Sequence, residues 1–162
     1  MGIADELLAL AGHLATSSSP AFEQASFRRS VSTAYYALFH LLVNEAAQRW
    51  NGSAEARLGL ERAFKHGSMK ELSAVVKKGS WKSWSTPQLI VPRELMDVAD
   101  AFNDLQEARH FADYDNSKLW TYTDVDARLN QARTAFQNWE KIRTDPAAHE
   151  YLLALLIGRK RE

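Results

Sequence analysis

Residues 93–115 read RELMDVADAFNDLQEARHFADYD. Leu95, Val98, Phe102 and Leu105 recur at the spacing of one face of an α-helix, and Arg109 continues that line. A guanidinium keeps its charge at any ordinary pH. An arginine aimed at a core therefore needs a carboxylate, a bound anion or a partner chain. Asp113 stands one helical turn later, at the spacing of a local ion pair. His110, Tyr114 and Asp115 crowd around it. This stretch predicts a helix over about 93–111, a connection over 112–122 and a candidate site at the helix end.

The same periodicity runs outward in both directions. Residues 4–16 carry Leu7, Leu8, Ala11 and Leu14 on one side. Ser17-Ser18-Ser19-Pro20 supplies a break, an N-cap and a proline suited to the first helical turn. A long helix over about 20–50 follows, with Phe27, Val31, Tyr35, Leu38 and Leu42 along its apolar line and Asn51-Gly52 as its stop. Ser53 caps a segment over about 54–66, weakened at His66-Gly67. Ser68 then caps a short continuation to Lys78, closed by Gly79. Residues 80–92 read as a loop, mobile or anchored by Trp81 and Trp84. Thr123 caps a helix over about 123–143, and Asp145-Pro146 opens a last one over 146–158. No alternation of strand type appears. The expected architecture is all-α, an antiparallel bundle of four to five main helices plus a C-terminal helix, in one domain over 1–162.

Composition narrows the function. The 162 residues carry 20 Lys and Arg against 20 Asp and Glu, so any nucleic-acid contact has to come from a local patch. Residues 53–86 are locally basic and residues 93–126 locally acidic. Their plain reading is two solvated faces of opposite sign; the sharper one is that the basic stretch meets phosphate. With no cysteine, disulfides, thiolate metal sites and cysteine nucleophiles are excluded. His13, His66 and His149 are scattered and form no paired ligand motif, so no metal is expected. No Gly-rich phosphate loop and no nucleophile elbow is present, and no cofactor is expected. The N-terminus has no secretory pattern and the apolar run Tyr151 to Ile157 is too short for a bilayer, so a cytoplasmic protein is expected.

Two strings carry a family resemblance. The first is Ser32-Thr33-Ala34-Tyr35-Tyr36-Ala37-Leu38-Phe39-His40; the second is Arg109 followed by Asp113-Tyr114, with Lys65-His66-Gly67 between them. In order and spacing they resemble the small prokaryotic members of the HEPN family (higher eukaryotes and prokaryotes nucleotide-binding domains). The resemblance covers about residues 20–143 and leaves 144–162 as a helical extension. Thr33 stands where the family usually has Arg, with Arg28 and Arg29 one turn earlier to supply a similar charge.

The resemblance implies a helical bundle, often a homodimer, in toxin–antitoxin or defence systems beside a nucleotidyltransferase-like partner. Many members are metal-independent ribonucleases whose motif is an Arg, four to six residues, then a His. The Arg stabilises charge developing on phosphate and the His moves protons. Here the positions after Arg109 that should hold that His are Tyr114, Asp115 and Asn116. His110 is adjacent to Arg109 and points roughly 100° round the helix. Arg143 and His149 have the right spacing, but Pro146 interrupts the helix between them.

The residues thus divide by role. Arg109, His110, Asp113 and Tyr114 are the catalytic candidates. Tyr35, Tyr36, His40, Lys65 and His66 are the binding candidates for RNA or a nucleotide. Arg109 and Asp113 read equally as an ion pair closing the core. Tyr35 and Tyr36 cannot both face the core, so one packs and one reaches an Asp or Arg of the later helix. Three functions follow: a binding module for a partner protein, nucleotide or RNA; a ribonuclease with a non-standard proton carrier; or a structural interaction module. The last helix is apolar nearly all round and is expected to dock on the bundle or on a second subunit.

Overall fold

The computed structural model describes residues 1–17, 19–79, 81 and 89–158. Among these every regular element is helical: α1 (Ile3–Thr16), a 3-10 turn (Pro20–Phe22), α2 (Glu23–Gln48), α3 (Ala54–Ala63), α4 (His66–Val76), α5 (Arg93–Tyr114), α6 (Tyr122–Ile142) and α7 (Pro146–Ile157). The all-α expectation holds. Ser18, Trp84 with most of the expected loop 80–92, and the basic tail 159–162 lie outside the described residues. Trp81 is described and buried.

Several helix ends differ from the expected ones, each for a local reason. Ser19 makes no side-chain cap; its carbonyl accepts from Phe22 and forms the 3-10 turn instead. Ser53 does cap α3, accepting from the Ala56 N–H at 3.1 Å. The break after α3 falls at Phe64-Lys65 rather than at His66-Gly67. No residue of α3 itself is buried, so the extended, buried Phe64 is the nearest anchor. Ser68 consequently lies inside α4 and not at its cap. Gly79 takes φ +72, a conformation that favours glycine, and a Cβ there would also press on the flexible Met96 side chain at 2.9 Å.

α6 starts at Tyr122, and its cap is Thr121, two residues before the expected Thr123. Thr121 Oγ1 accepts from Asp124 N–H while Asp124 Oδ2 accepts from Thr121 N–H, a reciprocal capping pair. α5 runs on to Tyr114, three residues past its expected end. Arg28 explains this. Its guanidinium donates to the carbonyls of Ala112, Asp115 and Lys118 at 3.0, 2.8 and 2.7 Å, satisfying acceptors that a helix end leaves open. Arg28 is thereby committed to a cap and is not a free charge replacing the family arginine.

Two compact units share the long helices α2, α5 and α6. The first comprises Met1–Leu41 and Ala101–Phe136. Its core holds Val31, Tyr35, Leu38, Phe102, Leu105, Val125 and Leu129, all buried. Contacts pair Arg28 with Ala112, Ser32 with Asp113 and Tyr35 with Phe102, so α2 and α5 run antiparallel there. The Ser30 hydroxyl donates to the Ala11 carbonyl and ties α1 to α2.

The second unit comprises Leu42–Asp100 and Gln137–Glu162. Leu42, Met69, Leu72, Leu95, Val98, Trp139 and Leu152 fill its core. Asp145 caps α7 at 2.8 Å through the Ala147 N–H. α7 docks on α4 within this unit, as its apolar surface requires. The buried Ser73 and Tyr151 hydroxyls hydrogen-bond at 2.7 Å across that contact, and burial raises the Tyr151 hydroxyl far above its ordinary pKa. No described helix is long and apolar enough to cross a membrane.

Candidate functional site

The sequence strings of α2 and α5 meet in the first unit. Leu95, Val98, Phe102 and Leu105 are fully buried, which confirms the apolar stripe, and Arg109 continues it with a side chain only 16% exposed. Its guanidinium lies 5.2 Å from the Tyr35 ring centroid and 5.8 Å from that of Tyr36. Planar cations gain from such ring faces when water is excluded. Arg109 Nη1 stands 3.6 Å from Asp113 Oδ2 and 3.5 Å from the Tyr36 hydroxyl. Both are long contacts. Arg109 Nε is buried and has no acceptor among the described residues.

Asp113 also joins the two helices. Ser32 Oγ on α2 donates to its Oδ2 at 3.3 Å. The extension of α5 makes this possible, because it places Asp113 on the same helical face as Arg109. The two tyrosines divide as their adjacency requires. Tyr35 is fully buried, edge-on to Tyr36 and packed on Phe102, while Tyr36 is half-buried with its hydroxyl toward Arg109. Burial pushes the Tyr35 hydroxyl far above its ordinary pKa, against a smaller lowering by the Arg109 charge. Tyr35 is thus neutral at physiological pH and unsuited to proton transfer there.

The remaining candidates are placed differently. His110 is exposed on the adjoining face of α5, its ring 5.2 Å from Tyr114 and 6.4 Å from Phe111. Phe111 and Tyr114 are 41% and 68% exposed, so α5 presents three aromatic rings to solvent beside the Arg109 cluster. His40 lies in the first unit, edge-on to Phe39 at 5.4 Å. Lys65 and His66 belong to the second unit, at the start of α4, so they are not brought into the Arg109 cluster within one unit.

Two residues named in the sequence for other reasons take part in ways it did not show. Ser32 stands in the first quoted string, but its reach to Asp113 depends on the α2–α5 register. Arg28 precedes that string, and its role as a cap depends on carbonyls more than 80 residues away. Asp115, beside the cluster, has its carboxyl held below the ordinary value by the Ser117 hydroxyl and backbone N–H. Among the described residues no group of three or more His, Asp or Glu side chains is assembled that could hold a metal ion.

The geometry has chemical consequences. Arg109 and Asp113 form a charge-balanced pair against the neutral Tyr35. The imidazole next to Arg109 in sequence, His110, points round the helix from the guanidinium. No protein-family model, curated protein or solved structure matches the chain.

Proposed function

We propose that this chain is a HEPN-like protein of toxin–antitoxin or defence type that binds rather than cleaves. In this reading it acts in the cytoplasm, as a homodimer or with a nucleotidyltransferase-like partner. RNA is the partner its chemistry suits best, and a nucleotide would use the same contacts. One observation carries the proposal: Arg109 is held between two tyrosine rings and Asp113, while His110, Phe111 and Tyr114 stand exposed on other faces of the same helix end. Exposed rings on a helix suit stacking on unpaired bases. The same arrangement argues against a ribonuclease whose Arg and His share one helix face, since the histidine of α5, His110, points roughly 100° round the helix from Arg109.

Fluorescence anisotropy with labelled single-stranded RNA tests this reading. Tyr114→Ala should weaken binding by about tenfold, in line with the loss of one stacking contact. Absence of binding by folded protein, to RNA and to nucleotides alike, would overturn it. The burial of Arg109 also supports a second reading, a purely structural module in which Arg109 only locks α5 to α2. In that case Arg109→Ala lowers the melting temperature and leaves every binding activity unchanged.

A further inference from the structure

The second unit holds its own concentration of positive charge. Glu45, on α2, is nearly buried, and two guanidiniums converge on its carboxylate. Arg143 Nη2 approaches Glu45 Oε1 at 2.6 Å, and Arg49 Nη2 lies 3.6 Å from Oε2. Two cations share one carboxylate, which leaves an excess positive charge. Arg49 is not saturated by protein. Its Nη2 donates to the Arg143 carbonyl, its Nη1 has only a 3.5 Å contact with His149 Nδ1, and its Nε is buried with no acceptor among the described residues.

Arg49 and His149 line a cleft of about 280 Å³ whose walls are Leu60, Leu152, Leu153 and Leu156. The cleft therefore combines an aliphatic wall with an under-neutralised guanidinium. A guanidinium with spare donors prefers a carboxylate or phosphate. An aliphatic wall prefers a hydrocarbon body, and small pockets of this build fix a ligand by few polar groups. The apolar lining comes from Leu60 of α3 and from α7, where Leu153 stays 41% exposed while Leu152 is almost fully buried.

We infer that this cleft binds a small anionic amphiphile, an aliphatic carboxylate whose head pairs with Arg49 and whose chain lies along Leu152, Leu153 and Leu156. The inference uses residues of the second unit alone and does not depend on the RNA-binding reading.

Isothermal titration calorimetry of the full chain with octanoate, and with octanol as the uncharged counterpart, tests the site. Octanoate should bind, and octanol should bind at least about tenfold more weakly, the difference that a charge-assisted contact provides. Arg49→Gln should bring octanoate down to the octanol level. Leu153→Glu, at a position outside the core, should abolish octanoate binding through a repelling charge in the cleft. If Arg49→Gln does not fold, Leu153→Glu decides alone. Absence of octanoate binding, equal binding of octanol, or unchanged affinity in Leu153→Glu would overturn the inference.

Discussion

Two arginine–carboxylate clusters, one in each unit, solve the same electrostatic problem in opposite ways. In the first unit a single Arg109 meets a single Asp113 on the same helix, and two tyrosine rings cover the charge. The pair is long, at 3.6 Å, and neutral as a whole. In the second unit one nearly buried Glu45 serves two arginines, one of them 98 residues away, at 2.6 Å. That cluster is short, crosses between elements and carries excess positive charge. The difference teaches that a half-buried guanidinium can be quieted by aromatic faces or by a distant carboxylate. The first route leaves a balanced pair, the second an excess of positive charge.

The contrast can be broken most severely at Glu45. Glu45→Ala leaves two guanidiniums facing each other without their carboxylate. It should cost about 3 kcal/mol, because an unpaired half-buried charge loses more than the pair gains, with Arg143 partly solvated. Urea denaturation followed by circular dichroism measures this. A loss under about 1 kcal/mol would mean that solvent already screens the pair.

Asp113→Ala should be milder, about 1–2 kcal/mol, since the tyrosine rings still cover the Arg109 charge and the original ion pair is long. The double variant Arg109→Met with Asp113→Ala should recover part of that loss in a mutant cycle. A double variant less stable than Asp113→Ala alone would show that Arg109 contributes mainly through its packing on Tyr35 and Tyr36.

Tyr36→Phe removes only a hydroxyl 3.5 Å from Arg109. It should shift stability by less than about 0.5 kcal/mol, the range of a marginal hydrogen bond. A larger change would give Tyr36 a second role at the site.

The smallest effect concerns the exposed cap of α6. The backbone N–H and hydroxyl of Thr121 hold the Asp124 carboxyl below its ordinary pKa. A depressed carboxyl stabilises the fold above its unfolded pKa of about 4, and that contribution disappears as pH falls through the folded value. Asp124→Ala should therefore lower the melting temperature slightly at neutral pH, with the gap narrowing in acid. A gap that persists unchanged in strong acid would assign the cap to the neutral side chain.

The two clusters also differ in how far the sequence reveals them. Arg109 was legible because it lies on an apolar stripe with Asp113 one turn on, and helical periodicity exposes both facts. That α7 needs cover was legible for the same reason, since a helix apolar nearly all round has to be covered, but its seat on α4 was not. Glu45 and Arg143 were not legible as a pair. Nothing local links residues separated by most of the fold, and Arg143 looked like part of a chance spacing with His149. Helix ends failed where a distant side chain decided them. Arg28 extends α5 by accepting the role of cap, and buried Phe64 moves the break between α3 and α4. Capping pairs within one turn were legible at Ser53 and Asp145, where donor and acceptor are neighbours, but not at Thr121, which competes with Thr123 as a capping residue, nor at Ser19, whose carbonyl closes a 3-10 turn instead.

The most direct measurement is RNA cleavage in the presence of a chelator, comparing the intact chain with Arg109→Ala. The account predicts that neither protein cleaves single-stranded RNA while the intact chain binds it. Cleavage by the intact chain that disappears in Arg109→Ala would contradict it, and would make the Arg109 cluster the centre of a metal-independent ribonuclease.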